Sequence, residues 1–207
     1  MTDQNQPEEV TYPPAPWRLK GQMWMAIYDT GTPVALPDGF KPLLNPNWLA
    51  IVLVRYLEGT LRYDELVVGT VAYRGLRVGI HVHSLWVNDE ASLWGGRRIW
   101  GVPKELATFT WDSNTVHVLD KGGPIVTLTV NGKAPRAPWV WMLAPGFGFL
   151  DGRCLHILIR TQVRLGRAGI RVDGSSPRFP YRIAGTPLFG LTGDPIRITV
   201  PEPRILD

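Results

Sequence analysis

The stretch Thr60–Tyr73, TLRYDELVVGTVAY, decides the fold. It is rich in β-branched and aromatic residues and reads as a strand. Alternate side chains of a strand share a face. One face carries Thr60, Arg62, Asp64, Leu66, Val68 and Thr70, a mixed set that could meet water. The other carries Leu61, Tyr63, Glu65, Val67, Gly69 and Val71, where Glu65 is the only charge. Burying a lone carboxylate is costly, so Glu65 is paired with a cation, protonated or turned toward a cavity. A structural ion pair or a place at the sheet rim would satisfy the same constraint.

Working outward, the same texture recurs in QMWMAIYD (Gln22–Asp29), NWLAIVLVRY (Asn47–Tyr56) and LRVGIHVHSLWV (Leu76–Val87). It continues in NTVHVLD, PIVTLTV, CLHILIRTQVRLG and IRITV, while DTGTP, LPDGF, LEGT and YRG are turn signals. NGK and DGSSP read as turns or loops, and no internal repeat is present. One segment, NDEASLWGGRRIWG (Asn88–Gly101), reads as a helix capped by Asn88 or Asp89, with Glu90 at the positive end of its dipole. Gly95 and Gly96 are expected to weaken its end and keep it short. Nineteen prolines and 22 glycines also disfavour long helices. The expected fold is therefore mainly β: a closed or partly open β-barrel with an internal cavity and one short helix. Residues 1–16, which include YPPAPW up to Pro16, are expected to form a flexible extended arm before a single domain, 17–207.

With 44% hydrophobic and 19% charged residues, the composition is that of a globular domain able to bury its own core. The net charge of +4 is spread along the chain rather than gathered in a basic stripe, which argues against nucleic acid as a partner. No apolar run is long enough to span a bilayer, and the acidic start MTDQNQPEEV does not read as a signal peptide, so the expected location is the cytoplasm. The single cysteine, Cys154 in RCLHILI, reads as a buried, inert thiol. His81 and His83 share a strand face, yet two histidines without a third ligand do not make a metal site. GFGFLDG lacks the lysine and helix start of a phosphate loop, and nothing around Ser84 or Ser92 suggests a nucleophile elbow. No metal and no cofactor is expected.

GGRRIWGVPKELATF (Gly95–Phe109) places Lys104 in a compact, largely apolar setting. An amine attacks a carbonyl only in its neutral form, which desolvation or a nearby cation promotes. Alternation after Pro103 puts Lys104, Leu106, Thr108 and Thr110 on one face and Glu105, Ala107, Phe109 and Trp111 on the other. Spacing alone therefore favours a surface lysine.

The segment resembles the active-site region of the acetoacetate decarboxylase family, whose pattern reads G-R-E, a few residues, then P-K-K. HVHSLWVNDEASLWGGRRIWGVPK (His81–Lys104) aligns with it without gaps, and YDEL (Tyr63–Leu66) matches the family's Y-x-E. PWRLKGQ and IRITVPEPRILD have weaker counterparts. The resemblance implies a β-barrel around an apolar cavity, usually in a homo-oligomer. It implies a lysine that forms a Schiff base with a β-keto acid. Lys104 takes that position and Glu65 that of a family glutamate, a group able to shuttle a proton. Arg97 falls on the arginine of G-R-E and, with Gln22, is a candidate substrate-binding residue.

The chain also departs from the pattern. Glu105 stands where the family has its second lysine, and Arg98 replaces the glutamate of G-R-E. A second family glutamate falls on Ala50, and an arginine that would engage the substrate carboxylate falls on Gln22. Gln22 can hydrogen-bond an oxygen but cannot form a bidentate charged pair. The expected partner is a small carbonyl compound or keto acid, handled by a Schiff-base decarboxylase. An imine-forming aldolase or dehydratase and a non-catalytic ligand-binding barrel are the alternatives.

Overall fold

A computed structural model describes residues 10–132, 137–167, 169–183 and 185–206. Valine, isoleucine and aromatic residues spread over these segments form strands β1 (Trp17–Asp29), β2 (Lys41–Pro42), β3 (Trp48–Gly59), β4 (Tyr63–Arg74) and β5 (Arg77–Val87). Helix α1 (Glu90–Trp100) follows, then β6 (Lys104–Leu106), β7 (Thr108–Asp112), β8 (Thr115–Asp120) and β9 (Gly123–Asn131). The chain continues with β10 (Val140–Leu150), β11 (Arg153–Arg167), β12 (Gly169–Ser175), β13 (Phe189–Val200) and β14 (Arg204–Leu206).

Seven strands close a barrel in the order β4-β3-β1-β13-β11-β10-β5, with β5 pairing back onto β4. Closure removes the edges that an open sheet would leave unpaired. A second sheet, β12-β9-β8-β7, packs on the outside of the wall formed by β1, β3 and β4.

Nothing in the strand pattern points to that second sheet, and it changes how β4 is read. The strand begins at Tyr63 rather than Thr60, and its mixed face does not meet water. Leu66 and Val68 on that face are fully buried, and Thr70 nearly so, because the second sheet covers them. Two cores result. Inside the barrel, Trp17, Leu19, Val54, Tyr63, Leu85 and Val87 pack against Leu93 and Trp100 of the helix. Outside the wall, Trp24, Tyr28, Ile51, Leu53 and Leu66 pack against Val116, Val118, Leu128 and Ile170. Each such side chain stabilises the fold by about 1.5–3 kcal/mol.

The helix differs from its expectation too. It spans 11 residues and passes through both glycines rather than ending at them. Asp89 is the N-cap and accepts a hydrogen bond from the backbone N–H of Ser92 at 2.6 Å. Gly101 ends the helix at φ +62°, a left-handed conformation that glycine adopts without cost. Strands β10 and β12 include stretches whose glycines suggest irregular structure: GFGFLDG mostly lies in β10, and Asp173–Ser175 of DGSSP lies in β12. Long-range pairing with β11 and β9 decides both. Cys154 is buried, as expected. Most of the expected N-terminal arm, residues 1–9, lies outside the described residues. Within its remainder the Pro13 carbonyl accepts from Trp17 Nε1 at 2.9 Å.

Candidate active site

Three elements converge on one amine. Glu65 sits on the inner face of β4, paired with Val54 of β3 and Val87 of β5. Lys104 opens β6, which runs parallel to β5 with Leu85 opposite Lys104. Helix α1 joins β5 to β6 and lies over the junction. The parallel connection from β5 through α1 to β6 is thus what brings the lysine to the glutamate.

Lys104 is 4% exposed, so the surface position favoured by spacing is wrong. Alternation does hold for its neighbour: Glu105 is exposed, pointing away from the lysine. Nζ of Lys104 lies 2.9 Å from Oε2 of Glu65 and donates to Oγ of Ser92 at 2.8 Å. The rings of Tyr63 and Trp17 flank it, their centroids 5.0 Å and 5.8 Å from Nζ. The second carboxylate oxygen of Glu65 accepts from the Tyr56 hydroxyl at 3.4 Å. A buried ion pair persists only when both charges are compensated, and here each has a second partner.

Tyr56 and Tyr63 are both held protonated well above the ordinary phenol range, first by burial and then by the negative charge of Glu65. The centre is therefore a lysine, a glutamate, a serine and two neutral tyrosines gathered inside an apolar shell.

Sequence reasoning misses Ser92, because a serine on a helix carries no catalytic signature. A usable signal exists. Ser92 and Gly96 are four residues apart and so share one helix face. That face meets the lysine along its length: Ser92 at Nζ, Gly96 at the stem. A Cβ on Gly96 would stand 2.4 Å from Cδ and 2.6 Å from Cε of Lys104. A Cβ on Gly95 would strike the Trp17 ring at 2.5 Å. The two glycines therefore let the lysine and an aromatic wall lie against the helix.

The remaining sequence candidates lie elsewhere. Arg97 is exposed, and its Nε donates to the backbone carbonyl of Lys104 at 2.7 Å, so it grips the strand rather than facing Nζ. Arg98 stacks over Trp94 and Tyr12. Gln22 shares a face with Trp24, on the outside of the barrel, opposite to inward-facing Met23. Its Nε2 donates to Oδ2 of Asp194 at 2.9 Å. It lines a surface recess of about 300 Å³ with Lys20, Glu58 and Arg197. Ala50 is buried on the inner face, in line with Val52 and Val54.

His81 and His83 meet edge to face at 4.9 Å, and Nε2 of His83 contacts Oγ1 of Thr70 at 2.9 Å. Desolvation, then the neighbouring His81, pushes the His83 ring down to about 4, so it is neutral at physiological pH. Among the described residues no three His, Cys, Asp or Glu side chains converge as a metal site would require. No helix among them is long and apolar enough to cross a membrane.

Comparison with known proteins identifies the family and the fold. The acetoacetate decarboxylase family model matches residues 2–139. Acetoacetate decarboxylase of Acidiphilium cryptum is 51% identical over 104 residues, covering 46% of this chain and 41% of that protein. The chain thus spans less than half the length of that relative. Acetoacetate decarboxylase from Legionella pneumophila superposes with a TM-score of 0.68 at 18% identity, over 100% of this chain and 93% of that one. The enduracididine biosynthesis enzyme MppR, complexed with pyruvate, superposes with a TM-score of 0.62 at 16% identity, over 97% of this chain and 93% of that one. At these identities the two structures establish the fold alone. The family match covers most of the chain and includes the buried lysine, its glutamate and the helix between them: this chain belongs to the acetoacetate decarboxylase family.

Proposed function

We propose that the chain is a lyase that decarboxylates a small keto acid through a Schiff base on Lys104. The observation carrying this reading is the buried Lys104 amine held between Glu65 and Ser92 in an apolar shell. Glu65, at 2.9 Å, is placed to take a proton from the ammonium and free the lone pair. The amine then attacks the substrate carbonyl, water leaves, and a protonated imine results. The carbon–carbon bond to the carboxylate breaks, its electron pair moves into the imine, and carbon dioxide departs. Glu65, a carboxylate again once water has left with the two protons shed by the nitrogen, takes a proton from solvent and delivers it to the enamine carbon. Water then adds to the imine and releases the ketone product.

A second reading uses the same imine for aldol or dehydration chemistry on a neutral carbonyl. Ala50 on the inner face and the outward-turned Gln22 favour it, since neither offers a charge to a substrate carboxylate. The pyruvate complex of MppR on the same fold is compatible with that chemistry.

Borohydride trapping tests the proposal. The protein is incubated with acetoacetate, pyruvate or acetone, reduced, and mapped by mass spectrometry. An adduct on Lys104, lost in Lys104→Ala with the fold intact, supports imine chemistry, and release of carbon dioxide separates the two readings. Binding of these compounds without any adduct would instead support a ligand-binding barrel with a structural ion pair.

A further inference from the structure

We propose that Ser92 is a catalytic residue of the lysine centre: its hydroxyl receives the second of the two protons that Lys104 Nζ sheds as the imine forms. Glu65 receives the first. This inference rests on the imine reading above.

A lysine ammonium carries three N–H groups, whereas a protonated imine nitrogen keeps one. Two protons must leave the nitrogen, and the structure presents two oxygen acceptors to it. Glu65 Oε2 stands at 2.9 Å and Ser92 Oγ at 2.8 Å. The rings of Tyr63 and Trp17 flank the amine and offer only their faces.

Ser92 has no other evident task. It is fully buried in the first turn of α1, where a hydroxyl without a partner would be costly. Its backbone N–H serves the Asp89 cap, while its side chain is directed at Nζ instead. A proton that arrives on Oγ also has a way out, because the oxygen of a carbonyl carbon bonded to Nζ lies within reach of a hydroxyl 2.8 Å from that nitrogen.

The protons balance over these two acceptors. Glu65 takes one proton from the ammonium, and the freed lone pair forms the bond to the carbonyl carbon. The carbonyl π pair moves to oxygen, which recovers that proton from Glu65. The nitrogen now holds two hydrogens and a positive charge. One of these passes to Ser92 Oγ as the Ser92 hydroxyl proton moves to the carbinol oxygen, which leaves as water while the nitrogen lone pair completes the C=N bond. Serine and glutamate end as they began.

Exchange of carbonyl oxygen with the solvent reads these steps directly. The full chain is incubated with acetone in ¹⁸O-enriched water, and label uptake is followed by mass spectrometry. The wild type is expected to exchange, and Lys104→Ala to fall to background. Ser92→Ala is expected to exchange about 100-fold more slowly, the loss typical of one positioned proton carrier, while its melting temperature and slow borohydride labelling of Lys104 are retained. Ser92→Thr, which restores a hydroxyl, is expected within about tenfold of wild type. Exchange by Ser92→Ala at the wild-type rate would overturn the role of Ser92 and leave the imine reading standing. So would a Ser92→Thr variant as slow as Ser92→Ala, since that outcome marks a packing role. A wild type that exchanges acetone no faster than Lys104→Ala would overturn both.

Discussion

Adding one methyl group to Gly96 separates stability from chemistry at this site. The Cβ of Gly96→Ala would stand 2.4 Å from Cδ, 2.6 Å from Cε and 3.1 Å from Cγ of Lys104. Carbon atoms in contact rest at about 3.5–4.0 Å, so the stem must retreat by about 1–1.5 Å. An aliphatic stem can do so, but its Nζ is held by Glu65 and Ser92, and the retreat lengthens both contacts. Overpacking costs about 1–3 kcal/mol, and replacing a helical glycine by alanine recovers about 0.5–1 kcal/mol. The net expected loss of stability is therefore modest, about 0–2.5 kcal/mol. The effect on chemistry is larger, since a misplacement of about 1 Å can cost about 100-fold in rate. The assay follows the rate of borohydride-trapped adduct with pyruvate beside thermal unfolding by circular dichroism. The expected result is a folded protein with adduct formation down by about 100-fold. Gly95→Ala meets the rigid Trp17 ring rather than the lysine, and is expected to lose more stability than Gly96→Ala. Wild-type labelling by a folded Gly96→Ala would refute the claim that the helix face holds the amine in place.

Lys104→Met leaves the Glu65 carboxylate buried without its cation and is expected to cost about 3–5 kcal/mol, a fall in melting temperature of roughly 10 °C. The double change Lys104→Met with Glu65→Leu is expected to recover most of that loss, which a double-mutant cycle in urea would read. Gln22→Ala is expected to leave trapping by pyruvate within about twofold of wild type, because its side chain is bonded to Asp194 on the outer wall. A loss beyond tenfold would show that it reaches the substrate. Burial holds the His83 ring down to about 4, so the unfolded chain takes up a proton near 6.5 that the folded chain refuses. Stability is then complete above pH 6.5 and falls as pH drops toward 4, by about 1–2 kcal/mol after allowance for the ring's partial exposure. His83→Gln is expected to flatten that part of the stability profile measured by denaturant unfolding.

Both ends of the ion pair are legible in the sequence. Glu65 stands out as the one charge on an apolar strand face, and Lys104 through its resemblance to a family segment. The helix between them and its Asp89 cap are legible from local chemistry. Less visible is which face of each strand turns inward. Alternation leaves Lys104 on the surface; the pairing of β6 with β5 and the cover of α1 bury it. Gln22 shows the limit most sharply: alternation sets it on the face opposite Met23, but which face of β1 looks into the barrel is decided by its pairing with β3 and β13.

The sequence by itself determined the β character, the short helix, the resemblance to the family that singles out Lys104, and the one charge, Glu65, on an otherwise apolar strand face. Those are consequences of local propensity, alternation and motif, all carried by neighbours along the chain. Tertiary structure alone decided that Ser92 completes the pair, that Gly95 and Gly96 make room rather than end the helix, and that both faces of β4 are buried. The physical reason is that burial and contact depend on which strands pair and what packs over them. Pairings such as β4 with β5 and β5 with β6 join residues far apart in the chain. No local pattern encodes the buried distance of 2.9 Å between Lys104 and Glu65.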